Sequence, residues 1–101
     1  MKSDASNIAA TIIKQNGELF KKFVNVYIFG SIMSSDRIPR DIDILLIYEK
    51  YSSEITADLI AIRTLLDKEM EIFVDFTVLS IEEEKSVSFL DRLNGKYLKL
   101  K

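Results

Sequence analysis

The stretch Asp41-Ile42-Asp43-Ile44-Leu45-Leu46-Ile47-Tyr48 leaves this chain few options. From Ile44 onward it is an unbroken apolar run, without the polar positions that a helix of this length would show to water. The eight residues Asp41 to Tyr48, apolar on nearly every position after Asp43, read as a central strand covered on both faces. Two aspartates open it at i and i+2. Side chains alternate along a strand, so Asp41 and Asp43 project from one face, about 7 Å apart at their Cα atoms, and Ile42, Ile44 and Leu46 project from the other. Aspartate is depleted in strands, so two on one face of a central strand ask for a chemical reason.

The rest of the chain is built to flank such a strand. Only three glycines and one proline punctuate 101 residues, so most of the sequence is expected to be regular. Ser3 or Asp4 caps an expected first helix with apolar positions Ala5, Ile8, Ala9, Ile12 and Ile13. Asn16-Gly17 ends it, and a short helical turn fits Glu18 to Phe23. Val24 to Phe29 is β-branched and aromatic, the first strand. Gly30-Ser31, a short helical or irregular segment and a polar turn lead to Asp41. Ile55, Leu59, Ile62, Leu66 and Met70 recur at helical spacing, predicting a helix over Glu54 to Glu69. Glu71 to Leu79 is the third strand, with Phe73, Asp75 and Thr77 on one face and Val74, Phe76 and Val78 on the other. Ser80-x-x-Glu83 fits a capping box for a last helix through about Leu93, ended by Asn94-Gly95. Tyr97, Leu98 and Leu100 close against the core or a partner, and Tyr27, Tyr97 and Leu100 are candidates for an oligomer surface. Alternation of helices and strands predicts one α/β or α+β domain over residues 1–101, a sheet with helices packed on it.

Composition narrows the chemistry. There is no histidine, which removes Ser-His-Asp catalysis and imidazole zinc sites. There is no cysteine, hence neither disulfides nor thiolate ligands. Any metal is left with oxygen ligands, which favours magnesium, manganese or calcium. The formal net charge of −2 provides no global basic field, which disfavours nucleic acid as the partner. No apolar stretch reaches the roughly 20 residues of a membrane span, and the polar N-terminus has no signal-peptide core. A cytoplasmic location is the expectation.

Asp75 interrupts the third strand as Asp41 and Asp43 open the second. If the two strands are neighbours with these faces aligned, three carboxylates converge. They would repel one another and lose hydration unless a divalent cation offsets both penalties. Gly30 lets backbone approach a phosphate without a Cβ in the way, and Ser31 adds a hydroxyl donor. Arg37 and Arg40, on the intervening turn, are candidates for phosphate contacts, although exposed turn arginines are common. Glu82-Glu83-Glu84 reads as a solvated first helical turn favoured by the helix dipole. Carboxylates and a glycine-serine turn together are what magnesium-dependent nucleotidyl transfer needs, where position and charge neutralisation do most of the chemistry.

Gly30-Ser31, nine intervening residues, Asp41-x-Asp43 and the distant Asp75 together resemble the signature of the DNA polymerase β-like nucleotidyltransferase superfamily. The short length resembles its minimal nucleotidyltransferase branch, whose members are often antitoxin partners of HEPN-domain proteins. The resemblance covers Val24 to Leu79, with a looser likeness over Phe89 to Leu98. It implies a small mixed sheet flanked by helices, magnesium (two ions), and a nucleoside triphosphate, usually ATP. Asp41 and Asp43 would hold both ions, Asp75 the nucleophile-side ion, and Gly30 and Ser31 the triphosphate. The activity implied is transfer of a nucleoside monophosphate to an acceptor hydroxyl, in the antitoxin branch a tyrosine of the HEPN toxin. A partner of that kind, or a second copy of this chain, would complete the site. The chain departs from the family where many relatives have Arg-Gly soon after Gly-Ser; here the residues are Ile32-Met33-Ser34-Ser35. Arg40 also stands where many have serine before the first aspartate. A binding module that neutralises its partner stoichiometrically, and a transferase acting on RNA or a small-molecule hydroxyl, are the alternatives.

Overall fold

The computed structural model describes residues 3–30, 41–70 and 73–101, with residues 3–6 described as backbone only. The segment 31–40, which holds Ser31, Arg37 and Arg40, lies outside the described residues. The elements run α1 (Ser3–Gln15), a 3-10 turn (Gly17–Phe20), β1 (Phe23–Phe29), β2 (Asp41–Tyr48), α2 (Ser53–Glu69), β3 (Phe73–Ser80), α3 (Ile81–Val87), α4 (Phe89–Arg92) and β4 (Tyr97–Lys99). The strands form one mixed sheet in the order β3-β2-β1-β4. β1 runs antiparallel to β2 and β4, while β2 and β3 are parallel and joined through α2. This is the α/β sheet with flanking helices that the alternating pattern predicts.

β2 is central, as its composition requires. Ile42, Ile44 and Leu46 are fully buried together with Val26, Ile28 and Val74. On that face lie Ala9, Ile12 and Ile13 of α1 and Ile55, Ile62 and Leu66 of α2. Ile8 is the exception in the α1 row, 49% exposed at the margin of its helix. The other face carries a smaller cluster around Tyr27, Leu45 and Ile47, covered by Phe29, Leu79, Ile81, Phe89, Leu90 and Tyr97. Every residue from Ile44 to Ile47 is buried because both faces are covered.

The expected single last helix is two. Ser80 caps α3 with the full reciprocal box: its hydroxyl accepts from the Glu83 amide at 3.0 Å and its own amide donates to Glu83 Oε1 at 2.8 Å. At Ser88 the backbone turns left-handed (φ 52°, ψ 47°) and the helix stops. The break reorients the chain so that Phe89 and Leu90 reach the sheet, and Glu84 Oε2 accepts from the freed Leu90 amide at 3.1 Å. Glu82 and Glu83 are exposed, as expected for a solvated first turn, but Glu84 is half-buried in this cap. The C-terminal residues become β4, and Tyr97 packs edge-on against the buried Tyr27, ring centroids 5.2 Å apart. No described helix is long and apolar enough to cross a membrane.

Candidate active site

The face bearing Asp41 and Asp43 is the one over which α3 and α4 pack, and both aspartates lie half-buried where β2 begins. Asp43 has Asp75 of β3 opposite it on one side and Phe29 of β1 on the other. Phe29 is in turn paired with Tyr97 of β4. A single lateral row, Asp75-Asp43-Phe29-Tyr97, therefore crosses all four strands, with neighbours about 4.8 Å apart in the strand-to-strand direction. Asp41 stands one pleat further toward the end of β2, opposite Phe73, which is 61% exposed. The parallel register thus aligns the faces of the second and third strands and places the three predicted aspartates on one surface.

The packing of Gly30 links the turn to these carboxylates. Gly30 leaves β1 at φ +89°, a conformation that L side chains rarely adopt. A Cβ at this position would overlap Asp43 Oδ2 and lie 2.9 Å from its Cγ. Glycine is thus required twice, for backbone conformation and for room beside the Asp43 carboxylate. The close approach predicted for phosphate is made first to the aspartate.

Electrostatics follow from the grouping. Asp43 is half-buried, and its carboxyl is held above the ordinary value by burial first, then by the charges of Asp41 and Asp75. The three are near enough to sense one another, but they are not drawn onto a single point. Among the described residues no three Asp or Glu side chains form a group placed to hold one metal ion. Asp75 is exposed at the outer strand and Asp41 half-buried. The donor set still suits a hard divalent cation: all oxygen, same face, and with one member penalised for its charge by the other two. Asp41, Asp43 and Asp75 are the residues that would hold it.

Two residues outside the motif hold the strands around the aspartates, Phe29 on their own face and Arg63 from α2 across the sheet. Phe29 stacks edge-on with Phe89, centroids 5.3 Å apart, and walls the side of Asp43 away from Asp75. Arg63, on α2, donates to the Val74 carbonyl at 3.0 Å and lies 4.6 Å over the Phe76 ring. One signal for Arg63 was available: it falls between Leu59 and Leu66 at i+4 and i−3, a charge beside the buried row of the helix.

No family model matches the chain, and no curated protein does. Among solved structures, a Sulfolobus solfataricus protein described as a "putative nucleotidyltransferase" is similar, with TM-score 0.57 and 24% identity over 97% of this chain and 80% of that one. The likeness extends beyond the strands to nearly the whole chain, and at this identity it speaks to architecture. A small mixed sheet flanked by helices, with its aspartates at one end of the central strand, gives this chain a nucleotidyltransferase-like fold.

Proposed function

We infer that the chain is a magnesium-dependent nucleotidyltransferase that moves AMP from ATP to an acceptor hydroxyl. The observation that carries this is the shared surface of Asp41, Asp43 and Asp75 beside Gly30, on a fold similar to that of a protein described as a nucleotidyltransferase. Asp41, Asp43 and Asp75 would hold the magnesium, which would supply charge neutralisation for the triphosphate. In the transfer, the acceptor oxygen forms a bond to the α-phosphorus, the bond to the β-phosphate oxygen breaks and pyrophosphate leaves. The hydroxyl proton passes to Asp75, the most exposed of the three carboxylates. Asp41 and Asp43 orient the triphosphate end, with Gly30 leaving room for the Asp43 carboxylate, and Ser31, Arg37 and Arg40 are the further phosphate contacts. The acceptor is a tyrosine of a HEPN-type partner, and the chain acts as its antitoxin.

A second function, stoichiometric neutralisation of a partner without turnover, is favoured by one observation: the three carboxylates are not gathered as a single ligand group. Titration of MgCl2 and a non-hydrolysable ATP analogue into wild type and Asp41→Asn/Asp43→Asn, followed by calorimetry, separates the two. Magnesium-dependent binding that disappears in the double variant supports the transferase, and labelled ATP then identifies the acceptor. Absence of binding by wild type at millimolar nucleotide, alone and with its partner, overturns it in favour of the binding module.

A further inference from the structure

We propose that Arg63 is a positioning residue that holds the β3 edge and, through it, sets the place of Asp75; the functional part of this proposal rests on the transferase reading above. Among the described residues β3 is the outer strand, paired with β2 on one side, so part of its backbone has no described strand partner. Asp75 is thus carried by the less restrained of the two strands that bear the aspartates. Arg63 meets that weakness directly. Its Nη1 donates at 3.0 Å to the carbonyl of Val74, the residue immediately before Asp75. Its guanidinium lies 4.6 Å from the centroid of Phe76, the residue immediately after Asp75, and 5.9 Å from that of Phe73. One side chain therefore grips the strand on both sides of the aspartate.

The grip is also well anchored. Arg63 leaves α2 between Ile62 and Leu66, both fully buried against the sheet, so its Cα is fixed by the main core. The guanidinium is planar, offers several donors and stacks on rings, whereas a lysine ammonium provides neither the fork nor the stacking. Arg63 touches none of the three carboxylates in these contacts. Its effect on them passes through the backbone of β3, which is paired residue for residue with the Asp41–Tyr48 strand.

A double-mutant cycle with two readouts tests this. The first needs no ligand: amide hydrogen exchange across β3 and the Asp75 amide shift, in wild type, Arg63→Lys and Arg63→Ala. Loss of protection around Val74 to Phe76 in Arg63→Ala, partly recovered in Arg63→Lys, is expected; unchanged protection and an unmoved Asp75 shift overturn the proposal. The second readout is MnCl2 affinity, by electron paramagnetic resonance. Arg63→Ala is expected to bind Mn2+ roughly tenfold more weakly, in the range of losses around metal ligands. In the Asp75→Asn background the same change should have almost no further effect, because the group it positions is gone. An equal loss in both backgrounds overturns the positioning role and leaves Arg63 as a general stabiliser. Failure of wild type to bind Mn2+ even with millimolar ATP analogue and its partner present would overturn the transferase reading instead, and the exchange data would still decide whether Arg63 holds β3.

Discussion

The two faces of one strand do different work. On one, Ile42, Ile44 and Leu46 of β2 are sealed between α1, α2 and the neighbouring strands. On the other, Leu45 and Ile47 are equally buried under α3 and α4, but Asp41 and Asp43 are only half-buried. Among the described residues, the first face is covered by α1 and α2, and the second by α3 and α4 over Leu45 and Ile47. A half-buried carboxylate keeps part of its hydration while its position is set by a rigid central strand. The difference is one of cover, since both faces belong to the same backbone.

The contrast is broken most severely from the sealed face. Ile44→Ala removes a fully buried side chain and should cost about 3 kcal/mol, read as a drop in the urea midpoint, without touching the carboxylates. Gly30→Ala comes next. It places a Cβ on the Asp43 carboxylate and a side chain at φ +89°, so a loss of about 2 kcal/mol is expected, with magnesium-dependent nucleotide binding lost in protein that is still folded. Ser80→Ala removes the hydroxyl of the capping box and should cost about 1 kcal/mol in thermal denaturation, loosening the cover of the aspartate-bearing face alone.

The smallest expected effect has the opposite sign. Burial and its two neighbours hold the Asp43 carboxyl above its ordinary value of 3.8, so the folded state binds the proton more tightly than the unfolded state. Stability from this group is therefore present at low pH and is lost as pH rises from the unfolded value through the folded one. Asp43→Asn removes that penalty and should raise the melting temperature at neutral pH by about 2 to 4 °C in EDTA, converging with wild type at acidic pH. A variant that instead melts lower at neutral pH would show that Asp43 is stabilised by contacts that outweigh its neighbours' charge.

Much of this molecule was legible from local pattern. The bounds of β2 agree with its apolar run, and α2 begins one residue before its predicted start. The capping box at Ser80 and Glu83 is an interaction across three residues, so spacing alone carried it. The periodicity of the last helix runs on through Ser88, whereas the break there is determined by what Phe89 and Leu90 meet on the sheet. Arg63 was missed for a similar reason: its charge was visible, but its partner is the edge of a strand whose position in the sheet no local pattern reports.

What the sequence determined by itself is therefore what depends on near neighbours. Alternation put Asp41 and Asp43 on one face, and the absence of histidine and cysteine restricted any metal to oxygen ligands. Only the tertiary structure decided that β3 lies beside β2, parallel, with Asp75 opposite Asp43 and not shifted along the strand. It also decided that Gly30 closes onto that same aspartate. Strand order and register are settled by packing between segments far apart in the chain, where a slip of one residue would turn Asp75 to the opposite face.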